Sequence, residues 1–403
     1  MPTNRDAPER PAIGLVMTGG GARAAYQAGV LSGVLQLLDP DSRRTFRNPF
    51  DIICGTSAGA INATALACRA HQPHQAVRHL CALWQSLCTR DIYYADAPRL
   101  MRTGLQWLGM LTLGWIRPQL SRYAPHSLLD NEPLSGLLSR TLNFSRLQTN
   151  LRRGHLGALA ITATAYTTGE HLTFYQARGG ILPWTRTLRR AVDCTIGVDH
   201  LLASSAIPFV FPARAILVGD RTLWCGDGSM RQLAPISPAI HLGAERVFVI
   251  GTNYQDETQP QIRDLSPPYP SLAQIAGHTL SNIFLDGVSV DMERMARINE
   301  LLARIPANGL KSESLRPIHT LMIAPSRSLD EMALDHLDEL PRAVHTLFRV
   351  LGVSPKKVEA GGGALASYLL FETGYTKDLI ALGRADSLSR ADEIIAFFKE
   401  WSA

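Results

Sequence analysis

The sequence predicts an α/β protein with a mainly parallel central sheet and a helical C-terminal region. Three observations carry that expectation. A continuous apolar run at residues 11–17 enters the glycine turn Thr18-Gly19-Gly20-Gly21-Ala22-Arg23 and leaves it as a stretch of helical spacing, residues 24–38. A second apolar run at 51–54 enters Gly55-Thr56-Ser57-Ala58-Gly59 and leaves it as a stretch of helical composition, residues 60–70. Runs that stay apolar rather than alternating belong to strands buried on both faces, as in parallel sheets. The third observation is the tail, where residues 329–401 are mostly helical in pattern, with Gly361-Gly362-Gly363 read as a hinge or turn.

The other elements follow in order. Residues 74–87 give a helix with Val77, Leu80, Cys81 and Trp84 on one face. Residues 100–120, with Trp107, Leu108, Leu111 and Trp115 among them, are too short and glycine-broken to span a bilayer. A packed core element and a lipid-facing lid both fit that stretch. A helix starts near Ser127 with Asp130 as its cap. Residues 156–174 alternate and break at Thr168-Gly169-Glu170, which reads as two antiparallel strands. Residues 201–206 make a short helix ended by Pro208. A second hairpin, 215–218 with 222–225, turns at Gly219-Asp220 and runs into Gly226-Asp227-Gly228-Ser229. Residues 246–251 are another continuous apolar strand, 272–305 a long helix or a broken pair, and 319–324 a last strand.

At 403 residues the chain is long enough for one large domain with an appended region, or for two domains. The organisation expected is a disordered segment 1–10, an α/β domain 11–253, a linker 254–270 holding Pro260, Pro267, Pro268 and Pro270, and a mainly helical region 271–403. That last region is expected to pack on the α/β domain or regulate it. Apolar residues at 46% and no apolar run of membrane-spanning length exclude a polytopic membrane protein. The net charge of +5 gives a slight bias toward anionic partners such as phospholipid head groups, against which an ordinary solvated surface is the plainer reading. Cysteines 54, 68, 81, 88, 194 and 225 form no C-x-x-C pair and read as reduced core thiols. No histidine or cysteine cluster has metal-ligand spacing, so neither a metal nor a cofactor is expected. Residues 1–10 lack the apolar segment of a secretory leader, and a cytoplasmic protein is expected.

The two turns are where chemistry is expected. Gly55-Thr56-Ser57-Ala58-Gly59 fits G-x-S-x-G between a strand and a helix, the geometry that holds a serine exposed on a sharp turn. The glycine turn at 19–23 aims several backbone N–H groups at one place beside a helix N-terminus, where an oxyanion or a phosphate would bind equally well. Gly19, Gly21 and Ala24 also satisfy a loose G-x-G-x-x-A, but the second strand ends in a serine turn without the acidic residue that a dinucleotide site needs. A serine at neutral pH needs a base. Asp227, between glycines at the end of a hairpin, can serve if desolvation raises its pKa; an ordinary turn aspartate is the alternative. His200, His241 and His278 follow Ser57 and could serve a Ser–His–Asp arrangement, but none sits in a recognisable turn. Arg23 could hold a lipid phosphate or pair with an acidic neighbour.

Taken in order, Gly19-Gly20-Gly21-Ala22-Arg23, Gly55-Thr56-Ser57-Ala58-Gly59 and Asp227-Gly228-Ser229 resemble the motifs of the patatin-like phospholipase family, over roughly residues 13–251. The resemblance implies a three-layer α/β/α fold and a Ser–Asp dyad that hydrolyses phospholipid or other fatty-acyl esters, of phospholipase A or lysophospholipase type. It implies Ser57 as nucleophile, Asp227 as base, and the N–H groups of Gly19, Gly20, Gly21, Ala22 and Arg23 as oxyanion hole. Gly55, Thr56, Ala58 and Gly59 would then form the nucleophile elbow, and Gly228 and Ser229 the turn behind the base. Two positions depart from the common pattern: Ala24 and Ser229 stand where many members carry glycine, or glycine or alanine. Ser229 adds a hydroxyl beside the base. The expected partners are the lipid substrate and, peripherally, a membrane surface; nucleic acid is not expected, and a homodimer is compatible. A docking protein that keeps the fold with little turnover, or a lipid acyltransferase using the same acyl-enzyme, are the competing functions.

Overall fold

The computed structural model describes residues 11–96, 98–99, 101–102, 104–106, 127–254, 275, 287–305, 315–351 and 362–399. The expectations for residues 1–10, for nearly all of 100–120, for the linker after Tyr254 and for most of 272–286 lie outside the described residues.

Ten strands form one sheet among the described residues: β1 (Ile13–Met17), β2 (Ile52–Thr56), β3 (Ala158–Ala165), β4 (His171–Ala177), β5 (Thr185–Arg186), β6 (Arg189–Asp193), β7 (Arg214–Val218), β8 (Arg221–Asp227), β9 (Arg246–Ile250) and β10 (His319–Ile323). They lie in the order β10-β9-β1-β2-β3-β4-β6-β5, with β8 also paired to β3 and β7 to β8. From β10 through β3 every pairing is parallel. The hairpins β3–β4 and β7–β8 are antiparallel, with turns where Gly169 and Gly219 take positive φ. The α/β class with a mainly parallel sheet therefore holds.

Both faces of the central strands are buried, and side-chain alternation explains the unbroken apolar runs. Ile13, Leu15, Met17, Ile53, Leu159, Ile161, Phe248 and Ile250 enter one core with α1 (Ala25–Leu38), α2 (Ala58–Cys68), α3 (Pro73–Ser86) and the C-terminal helices. Val16, Ile52, Cys54, Ala158, Ala160, Val247 and Val249 enter another, covered by Ile236, Ala239 and Val288. Helix, sheet and helix make three layers.

The C-terminal region is built into this architecture. β10 pairs in parallel with β9 at the sheet edge. The helix Thr373–Ser389 lies against α1 so closely that a Cβ on Gly29 would stand 2.1 Å from the Ile380 carbonyl oxygen, and one on Gly383 2.2 Å from that of Tyr26. Gly362 and Gly363 correct the turn expected there, since they open the helix Gly362–Leu369. Gly363 is small because that helix approaches the Asp330 carbonyl, 2.5 Å from where a Cβ would be. The helix Glu132–Thr141 follows Asn131 rather than Asp130, although the Asp130 carboxylate does accept from the Glu132 N–H at 3.0 Å. All six cysteines are free thiols.

Candidate active site

The two turns meet at the C-terminal ends of β1 and β2, neighbouring strands of the parallel sheet, the position where open α/β sheets bind ligands. Ser57 caps α2 with φ 55° and ψ −129°, a conformation L-residues rarely take. Such local strain persists only where the surroundings enforce it. Here they do: a Cβ on Gly55 would be 2.4 Å from the Gly59 carbonyl oxygen, and one on Gly59 2.5 Å from those of Met17 and Thr18. The glycines at both ends of the elbow let it fold on itself and press against the end of β1. The Ser57 N–H donates to Ser204 Oγ at 2.9 Å.

Ser57 Oγ donates to Asp227 Oδ2 at 2.6 Å across 170 residues of sequence, and both residues are buried. Asp227 reaches that place because β8 pairs with β3, setting Asp227 opposite Ala163. Its other oxygen accepts from the Ser229 N–H at 2.8 Å. A Cβ on Gly228 would be 2.3 Å from the Thr162 carbonyl oxygen, so the base turn also packs without room for a side chain. Burial pushes the Asp227 carboxyl up to about 6, against hydrogen bonds from Ser57 and Ser229 that favour its ionised form. The Ser229 hydroxyl is buried beside the same carboxylate, where it too favours the ionised form.

The glycine turn sits beside the elbow, and Gly21 and Ser57 line the same cavity. Gly21 has φ +55°, and a Cβ there would stand 2.2 Å from the Tyr368 carbonyl oxygen. Gly20 packs on Thr252, whose hydroxyl donates to the Gly19 carbonyl at 2.7 Å. Among the described residues, the N–H groups of Gly19, Gly20, Gly21 and Ala22 meet no acceptor, whereas that of Arg23 donates to Gly20 O at 3.1 Å. The Arg23 N–H is thus engaged within the turn, unlike those of the residues before it. Arg23 is 4% exposed, and its guanidinium lies 3.9 Å over the Tyr368 ring. It pairs with Asp330 and donates to Ser367 Oγ and Asn253 Oδ1, both at 2.9 Å. Of the two readings open for Arg23, the acidic neighbour is the one found.

Sequence reasoning missed two supports. Ser204 has no motif around it. His171 lies buried with Nε2 donating to the Gly228 carbonyl at 3.1 Å, and burial pulls its pKa down to about 4, so it stays neutral and braces the base turn. Its only signal was a histidine at the start of the second strand of a predicted hairpin. The other histidines considered are engaged elsewhere: His200 packs edge-on to Phe174 and accepts from Gly197 N–H, and His241 stacks on Trp184. His278 lies outside the described residues.

The cavity at Ser57 is apolar, walled by Ile61, Trp84, Leu138, Ile207, Phe211 and Phe371. That lining suits an aliphatic chain. Among the described residues, no group of three or more His, Cys, Asp or Glu could hold a metal ion, and no helix is long and apolar enough to cross a membrane.

The model of the family described as patatin-like phospholipase matches residues 15–240, more than half of the chain. No curated protein matches. Among solved structures, human GIVD cytosolic phospholipase A2 is similar at 11% identity with a TM-score of 0.46, covering 99% of this chain and 62% of that one. VipD from Legionella pneumophila is similar at 11% identity and a TM-score of 0.28, over 92% of this chain and 67% of that one. The type III effector protein ExoU is similar at 16% identity and a TM-score of 0.26, over 90% and 78%. The chain thus spans less than two thirds of the length of the human enzyme.

Proposed function

Since the chain belongs to the patatin-like phospholipase family, we propose that it is a serine hydrolase of phospholipid or other long-chain acyl esters, with Ser57 as nucleophile and Asp227 as base. The observation that carries this reading is the 2.6 Å hydrogen bond from a serine on a strained elbow to a buried carboxylate. Ser57 Oγ attacks the ester carbonyl as Asp227 takes its proton. The N–H groups of Gly19, Gly20, Gly21 and Ala22 are donors available to the tetrahedral oxyanion, and one such donor is worth roughly 3 kcal/mol in known enzymes. Collapse of the tetrahedral species expels the alcohol, which takes the proton from Asp227. Water, deprotonated by the same carboxylate, then releases the fatty acid from Ser57. His171 and Ser204 hold the base turn and the elbow and take no proton.

A lipid surface is the peripheral partner this reading needs. Leu217 and Trp224, 70% and 56% exposed, share the outward face of the β7–β8 hairpin, whose last residue is Asp227.

Labelling tests the nucleophile. A lipophilic fluorophosphonate is expected to add once to the wild type, by intact mass, and not at all to Ser57→Ala. An adduct that persists in Ser57→Ala would remove Ser57 from the role. The pH profile tests the base. With Asp227 raised to about 6, kcat/KM is expected to rise through an apparent pKa near that value and to fall about tenfold per pH unit below it. An acid limb at the ordinary carboxylate pKa would mean that the group titrating is not this buried one.

A further inference from the structure

We infer that the stretch from Ser367 to Phe371, beyond the region the family model covers, is a working part of the active site and that Phe371 sets the length of acyl chain accepted. The inference rests on the serine-hydrolase reading of the same site. Phe371 lines the cavity at Ser57 and is itself buried. Its ring stacks at 13° on Trp84, 6.4 Å between centroids, and meets Tyr93 edge-on at 6.5 Å. The two neighbours are fixed in turn. Trp84 Nε1 donates to Asn62 Oδ1 at 2.8 Å, and the Tyr93 hydroxyl donates to the Leu369 carbonyl at 3.1 Å.

The same stretch is locked to the glycine turn. The Tyr368 carbonyl abuts Gly21, the Tyr368 ring lies under the Arg23 guanidinium, and Ser367 Oγ accepts from Arg23 Nε while lying 2.8 Å from Asp330 Oδ1. Phe371 is thereby held at a fixed distance from the reacting carbon. A rigid wall at fixed distance from the nucleophile counts methylenes, and one methylene in an apolar pocket changes kcat/KM about tenfold or more.

The test is a series of p-nitrophenyl esters from butanoate to hexadecanoate, run with wild type, Phe371→Leu and Phe371→Trp, each first checked for one fluorophosphonate adduct at Ser57. The smaller side chain is expected to raise the long-to-short ratio of kcat/KM roughly tenfold and the larger to lower it by a similar factor. Loss of packing alone would lower all esters together and leave the ratio unchanged. An unchanged ratio in both variants, with turnover and labelling retained, overturns the role of Phe371 and leaves the hydrolase standing. A wild type that neither labels nor hydrolyses any ester overturns the hydrolase reading, and this one with it.

Discussion

Asp227→Asn is expected to lower kcat/KM by roughly 10²–10⁴-fold, the range of a lost general base, and at the same time to make the protein more stable. Both effects have one cause. The Asp227 carboxyl is raised from its ordinary 3.8 to about 6 because burial disfavours its charge. A folded-state pKa above the unfolded one means that the native state holds the proton more tightly. Stability then falls as pH rises from about 4 to about 6, and the full penalty is present above that. About two pKa units correspond to about 3 kcal/mol. The amide has no charge to desolvate, so urea denaturation at pH 7.5 should show Asp227→Asn more stable by up to about 3 kcal/mol, and at pH 3.5 little difference. A difference independent of pH would mean that the carboxylate is not held in a desolvated site. The buried carboxyl thus costs stability above its raised pKa, the cost that a general base poised near neutral pH would carry.

Gly29→Val is expected to destabilise the fold by about 3 kcal/mol or more, at the upper end of overpacking. The added atoms would meet the Ile380 carbonyl of the helix Thr373–Ser389, and backbone cannot turn aside as a side chain can. The contact is reciprocal: Gly33 faces Ser387 Oγ, and Gly383 faces the Tyr26 carbonyl. The Tyr26 hydroxyl adds a hydrogen bond of 2.9 Å to Asp386, which also accepts from Ser326. Gly180→Val is the control, since nothing lies within 4 Å of a Cβ there. Equal denaturation midpoints for the two variants would show that the helix pair can separate without cost.

What was legible in the sequence is what is encoded locally. Eight of the ten strands, both hairpins and the three glycine-bearing turns declare themselves within about ten residues, through apolar runs, turn chemistry and spacing, whereas β5 and the arginine-bearing β6 carry no such pattern and are not legible there. The partner of Arg23 does not, because Asp330 lies 307 residues away and nothing near either residue marks the other. Ser204 and His171 are equally silent, since a serine in a short helix or a histidine in a strand has many uses. The glycines at 362–363 were legible as small but not as helical. The smallness of Gly363 serves a contact with Asp330 rather than a change of chain direction. The strand at 319–323 could be recognised, but its place beside β9 depends on parallel pairing across distant sequence, which leaves no local mark.

The sheet order has a consequence for how the molecule comes together. β1 is flanked by β2 on one side and by β9 on the other, and β9 in turn by β10. The first of these neighbours follows within forty residues, whereas β9 begins at residue 246 and β10 at residue 319. Until those segments are present, the strand that leads into the glycine turn has one side of unsatisfied N–H and C=O groups, a template for pairing with another chain. Non-local parallel pairing of this kind is also slow. A fragment cut at residue 240, where the family match ends, keeps every motif yet leaves that edge open, and should associate edge to edge rather than stay monomeric.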